Sequence, residues 1–375
     1  MIFLDVAFFA AIAPLLPEYV DDLDLSKAEA GILSASYAAG TLAASLPAGL
    51  VASRIGPRRT VIYGLLMLGV SSVVFGLVGE ILLLDAARFI QGIAGALIWA
   101  GALTWLIAAS PDAKRGSVIG TALGTAVAGA LLGPVLGALA GSVGTAPVFC
   151  SVFFVTLALA YAASRFPDVG VSERQALAEI KDAILSRPVL DATAFVAVPS
   201  VMFGAIEVLV PLEIDSLGGG HGVIAAGFIA GAGLEAALAP FAGRFSDRVG
   251  RRSPYVAGLS ICALAMIGVA LAQTLGGVIA ALIVTSLGAG LCFAPALTLL
   301  SDVADASALH QGFAAGLSNM AWAAGQVVGG AGGGVLASFT GNAVPCIAIS
   351  LLLMVTVAYA FRTLAPPVTA RAAAG

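Results

Sequence analysis

Apolar residues occupy this chain in runs of roughly 20, the length that crosses a bilayer as a helix, with polar residues gathered in short breaks between them. Twelve spans are predicted, at 2–20, 28–52, 60–79, 82–109, 117–141, 145–165, 189–215, 222–245, 254–273, 276–300, 312–336 and 342–364. The longest polar stretch, Phe166–Pro188, follows the sixth span. Within Ser172–Leu185, the residues Leu177, Ile180, Ile184 and Leu185 keep helical spacing, which predicts an amphipathic helix along the membrane surface. The expected organisation is an N-terminal six-helix bundle (1–165), a linker (166–188), a C-terminal six-helix bundle (189–364) and a short disordered tail (365–375).

The breaks and spans also carry a repeat. Gly49-Leu-Val-Ala-Ser-Arg-Ile-Gly-Pro-Arg-Arg59 has a counterpart 194 residues later in Gly243-Arg-Phe-Ser-Asp-Arg-Val-Gly-Arg-Arg252. That offset carries Gly56 onto Gly250, Arg58 onto Arg252 and Ser53 onto Asp247. An offset of 196 carries Gly129, Gly133 and Gly137 in span 5 onto Gly325, Gly329 and Gly333 in span 11, with Gly330 in place of Pro134. Glycines four apart let another backbone approach closely, and a proline adds a kink. Such ladders serve either as plain helix-packing surfaces or as the places where two halves rock. Duplicated halves are how many secondary transporters are built, with substrate held between them near the midplane.

Composition narrows the class. Of 375 residues, 60% are hydrophobic and 10% charged, where a soluble protein carries about 25% charged. This predicts an all-α polytopic membrane protein embedded in a lipid bilayer. The net charge of -4 says nothing about nucleic acid, because the basic residues sit in short loops, and no nucleic-acid partner is expected. With both termini in the cytoplasm, 15 of the 17 Lys and Arg fall on the inner side, leaving Lys27 and Arg88 outside, while the first outer loop holds Asp21, Asp22 and Asp24. That asymmetry predicts cytoplasmic termini in an inner (plasma) membrane. Met1 is followed at once by apolar residues with no basic flank, so a start codon further upstream is expected.

Catalytic and metal chemistry find little support. Cys150, Cys262, Cys292 and Cys346 fall in apolar stretches without paired spacing and are expected to be buried small hydrophobes. His221 and His310, each expected in a loop, make no metal site. Gly231–Ala236 fits a loose dinucleotide fingerprint but lies in an apolar helix rather than after a strand. No enzyme activity and no cofactor other than a coupling proton are expected.

The basic loops are similar to the signature of the major facilitator superfamily, Gly-x-Leu-x-Asp-Arg-x-Gly-Arg-Arg. Gly243, Asp247, Arg248, Gly250, Arg251 and Arg252 match it in the second half, and Gly49, Leu50, Arg54, Gly56, Arg58 and Arg59 in the first, where Ser53 replaces the acid. Arg88-Phe-Ile-Gln91-Gly92 in span 4 resembles the family's Arg-x-x-Gln-Gly pattern. Gly129, Gly133, Pro134 and Gly137 resemble an element of its drug–proton antiporter branch. The resemblance implies twelve helices in two pseudo-symmetric bundles, working by alternating access, and it favours export.

Charge within the spans is the best pointer to mechanism. Asp247 is expected to cap span 5 near Gly116 and Ser117, or to pair with Lys114 or Arg115, only when the cytoplasmic side is closed. The plainer reading is that the loop arginines only set topology. Arg88 either pairs locally with Asp85, three residues earlier, or, as the resemblance favours, tunes a proton-carrying carboxylate such as Asp5. Depth counting sets Asp5 nearer the inner face. Glu207, about 13 Å deep in span 7, and Glu235, about 12 Å deep in span 8, have no basic residue within a helical turn. A carboxyl group so placed is most stable protonated and releases its proton when water arrives, unless it is merely hydrogen-bonded between helices. Gln91, Asn319, Gln326, Tyr37, Trp99 and Trp322 are candidates to line the same cavity.

The expected function is proton-coupled efflux of hydrophobic or amphipathic small molecules by a monomer. The alternatives are uptake of a polar metabolite such as a sugar or organic acid and, from another class, a non-transporting receptor or scaffold.

Overall fold

The computed structural model describes residues 1–110, 115–167, 182–307 and 311–364, with the side chains of 115–120, 247 and 311–314 outside the description. Twelve membrane-crossing helices run through them. They are α1 (Ile2–Asp22), α2 (Lys27–Ile55), α3 (Pro57–Leu77), α4 (Ile81–Ala108), α5 (Arg115–Val143), α6 (Thr145–Arg165), α7 (Arg187–Ser216), α8 (His221–Val249), α9 (Arg252–Leu271), α10 (Leu275–Ala306), α11 and α12 (Ala343–Thr363). Eleven are long and apolar enough to cross a membrane in one run. The other, α11, is a composite of Gln311–Val327, the π-helical turn Val328–Gly332 and Gly333–Thr340. The expected surface helix of the linker falls largely within 168–181 and the expected disordered tail within 365–375, both outside the described residues.

Several crossings are joined by one glycine. Gly56 ends α2 at φ 90°, ψ 150° before Pro57 opens α3, and Gly250 ends α8 at φ 88°, ψ 159°. Gly144 and Gly341, between α5–α6 and α11–α12, have φ 95° and 76°. This region of backbone space is essentially closed to side chains, which is why glycine stands at matched positions of both halves. At the start of α2, Ser26 and Glu29 form a reciprocal capping box.

Two large buried clusters fill the interior. One is built from the second half, Val189 to Ala360, and the other from the first, Ile2 to Ala160, joined only by Val208 from α7. The glycine ladders lie inside the halves. A Cβ at Gly129 or Gly133 would strike Phe3, Ala7 or Ala10 of α1, and one at Gly325 or Gly329 would strike Ala197, Ser200 or Val201 of α7. The two ladders therefore fasten the fifth helix of each half to its first, and in α11 Gly330 also faces the other half at Ala35 of α2.

The halves meet closely on one face. On the face away from the signature loops, Gly31 of α2 meets Gly330 and Gly334 of α11 backbone to backbone. Lys27 Nζ donates to Asn342 Oδ1 at 2.7 Å, and Asn342 in turn donates to Glu213. His221 Nε2 lies 3.5 Å from Glu18 Oε2, joining α8 to α1, and its ring packs on Gly141 of α5. His221 thus opens a helix at the seam, where the sequence suggested a loop. Toward the basic face, a Cβ at Gly49 or Gly243 would meet nothing within 4 Å, while one at Gly316 of α11 would meet Ser45 and Leu46 of α2.

Two outcomes follow from these backbones. Gly250→Ala is expected to cost about 1–3 kcal/mol in thermal unfolding of the purified protein, whereas Gly243→Ala, helical with open space around it, stays within about 0.5 kcal/mol of the parent. Gly31→Leu should wedge the closed seam and shift the population toward the state open on that face. Faster thiol labelling of an engineered Glu18→Cys in the Gly31→Leu background would register the shift; unchanged labelling would contradict it.

Candidate functional site

The site is built on α4. Arg88, Gln91, Gly92, Gly95 and Trp99 share one face at helical spacing, turned toward α1 and α2. The two glycines decide how close those neighbours come. A Cβ at Gly92 would collide with the backbone of Tyr37, and one at Gly95 with the Asp5 carboxylate, 2.7 Å from Oδ1, and with the Tyr37 hydroxyl. Without side chains at these points, a carboxyl from α1 and a phenol from α2 fit against α4.

Arg88 is 0% exposed and held on all sides. Helix α1 breaks at Ala11, between Ile2–Ala10 and Ile12–Asp22, three residues before Pro14. At this break Arg88 Nη1 donates to Phe8 O at 3.2 Å and Nη2 to Phe9 O at 3.3 Å. Nη1 also reaches Gln91 Oε1 at 3.1 Å, and Gln91 Nε2 donates to Ser72 Oγ at 3.2 Å. The guanidinium stands 5.1 Å from the Tyr37 ring centre and 5.9 Å from that of Phe75. The local Asp85–Arg88 pair is not formed. Asp85 instead accepts from Ser36 Oγ at 3.3 Å, because Arg88 turns inward to the α1 carbonyls.

Asp5 is also 0% exposed. Its Oδ1 accepts from the Tyr37 hydroxyl at 2.8 Å. Trp99 stands beside the same carboxylate. Asp5 lies level with Gly95, about 10 Å further along α4 than Arg88. The depth difference read from the sequence is therefore present, and Tyr37 spans it, touching Asp5 with its hydroxyl and Arg88 with its ring.

The second half reaches this cluster through aromatic rings. Phe9 packs 4.9 Å from Tyr37 and 5.1 Å from Trp322 of α11, centre to centre. Gln326, one turn further on, is buried with its backbone against Gly204 of α7. Asn319 is partly buried, one turn from Trp322 toward the basic face. Glu207 on α7 makes no hydrogen bond or ion pair among the described residues, and the charge that acts on it across the interior is Arg88. Glu235 on α8 is likewise without a partner among them; its backbone packs on Gly290 of α10, apart from the Arg88 cluster.

The signature loops differ in what they hold. Arg58 Nη1 donates to Phe166 O at 2.9 Å, joining α3 to the end of α6. Arg251 pairs with Asp302 at 2.6 Å. That pair escaped the sequence reading because α10 continues six residues past the expected end of span 10, to Ala306. The proposed contacts of Asp247 with Lys114, Arg115, Gly116 or Ser117 lie outside the described side chains. Phe9, Ser72 and the Glu18–His221 pair were also missed. Phe9 and Ser72 look like ordinary apolar and small residues of a span, but Glu18, an acid in the last turn of span 1, was a visible signal.

Comparison with known proteins agrees with this architecture. The family model of the Major Facilitator Superfamily matches residues 1–309 and 222–375. A quinolone resistance protein, NorA, of Staphylococcus aureus (strain MRSA252) is 24% identical over 119 residues, 32% of this chain and 31% of that protein. An MFS-type transporter, ppzB, of Metarhizium majus (strain ARSEF 297) is 29% identical over 126 residues, 32% of this chain and 27% of the relative. The chain thus matches about a third of the length of these curated relatives. The crystal structure of a bacterial homolog of the human lysosomal transporter Spinster, inward-facing and unoccupied, superposes with a TM-score of 0.75 at 14% identity, covering 96% of this chain and 94% of the other. With the family model spanning the chain and the whole fold reproduced, this protein belongs to the Major Facilitator Superfamily.

Proposed function

We propose that the protein is a secondary transporter of the plasma membrane that exports hydrophobic or amphipathic small molecules in exchange for protons. The basic face is cytoplasmic on this reading, so the seam contacts of Lys27, Gly31 and His221 lie on the outer side. The observation that carries the proposal is the fully buried Asp5 carboxyl, held by the Tyr37 hydroxyl and linked through that ring to a fully buried arginine. A carboxyl group of this kind exchanges a proton only when water enters, and water enters from whichever face is open.

Coupling then works as a competition. Protonation from outside neutralises Asp5, and the halves close around a site that no longer carries its charge. In the inward-open state, substrate arrives and the proton leaves. Glu207 shares the same field through Arg88, which makes it a second carrier or a contact for substrate. The aromatic side chains of Tyr37, Phe9, Trp99 and Trp322 offer flat apolar surfaces suited to ring-bearing compounds. The relative named for quinolone resistance supports export of drug-like molecules.

In acidified, energised inverted vesicles, adding substrate should release protons from the lumen. Asp5→Asn is expected to abolish that release and cut transport by about a hundredfold or more; coupling that survives it would reject the assignment. Arg88→Lys should fail to restore transport, because an ammonium cannot bridge the Phe8 and Phe9 carbonyls in a planar fork. Direction is tested separately. Cells lacking the protein should accumulate more of a fluorescent amphipathic compound than cells carrying it, and lower accumulation would instead indicate uptake.

A further inference from the structure

Away from the central seam, α3 and α6 part at the basic face around an open cavity of about 280 Å³ lined by Arg58, Arg59, Ile62, Tyr63 and Ser164. The charged side chains of this lining are both arginines. Arg165, next in sequence to Ser164, packs its guanidinium 4.9 Å from the Tyr161 ring centre. The two helices carry exposed apolar residues from here toward the opposite face, among them Val70, Phe154 and Leu157. The cavity therefore opens toward lipid at the depth where a membrane changes from headgroup to hydrocarbon.

The internal repeat separates what the fold needs from what it does not. Arg58 ties α3 to the end of α6 through the Phe166 carbonyl. Its counterpart 194 residues later, Arg252, ties α9 to α12 by lying 4.4 Å from the Phe361 ring centre. That arginine has a structural task in both halves. The positions equivalent to Arg59 and Tyr63 are Ser253 and Ala257, so the second half keeps its helices together without them. Arg59 is exposed, and Tyr63 is 54% exposed. Both are additions that helix packing does not explain.

We propose that this pocket binds the phosphodiester headgroup of an anionic phospholipid from the leaflet on the basic face. The guanidinium fork of Arg59 matches phosphate oxygens, and the Tyr63 hydroxyl donates at headgroup level. The acyl chains lie along Phe154, Leu157 and Val70. The exposed Arg59 guanidinium favours an anionic headgroup over a zwitterionic one, whose own ammonium it repels.

The test uses the full chain in nanodiscs of phosphatidylcholine containing phosphatidylglycerol, with retained lipid counted by native mass spectrometry. The parent protein is expected to retain phosphatidylglycerol in preference. Arg59→Gln should lower that preference about fivefold, the loss of one basic residue near a membrane surface. Arg59→Lys should keep most of it, and Tyr63→Phe should give an intermediate value. Equal retention by the parent and Arg59→Gln, both folded by thermal unfolding, overturns the proposal. Displacement of the lipid by millimolar inorganic phosphate also overturns it, by making the site one for a free anion.

Discussion

A guanidinium inside a bilayer must find its acceptors in the protein, and the first half is arranged around that requirement. The acceptors of Arg88 are two main-chain carbonyls, available because α1 breaks at Ala11, and a glutamine fixed in turn by Ser72. Once Arg88 is committed to α1, it cannot also neutralise Asp5. Tyr37 fills the gap, and Gly92 and Gly95 leave room for it. The result is a carboxyl and a cation held in one buried cluster without a direct ion pair between them.

Much of this architecture was legible before any coordinates. The runs of apolar residues located all twelve crossings, because a helix in lipid must satisfy its own backbone and so announces its length in composition. Matched glycines announced the repeat, and Gly56 and Gly250 turn out to occupy the same glycine-only backbone region. What remained hidden depended on neighbours distant in sequence. Asp85, three residues before Arg88, looked like its partner, but α2 supplies Ser36 to the acid and α1 supplies carbonyls to the arginine. The end of α10 was read short because Ser301, Asp302 and Asp305 are polar, although Arg251 makes Asp302 useful there.

The two halves share a plan but not its details. Both pack a glycine ladder of the fifth helix on the first helix, and both use an arginine to bind the third helix to the sixth. The chemistry is unequal. The first half holds the arginine cluster at its centre, while the second contributes Glu207, Glu235 and the ring of Trp322. The interior is thus chemically asymmetric even where the backbone is repeated.

The same inequality extends to the winding of the fifth helices. Where α5 carries Pro134, which removes a backbone donor, α11 has Gly330 in a π-helical turn, Val328–Gly332. That turn is wedged between α7, which Gly329 meets at Val201, and α2, which Gly330 meets at Ala35. A widened coil in α11 therefore faces both halves at once, so any change in its winding is felt by the partner half as well as by its own.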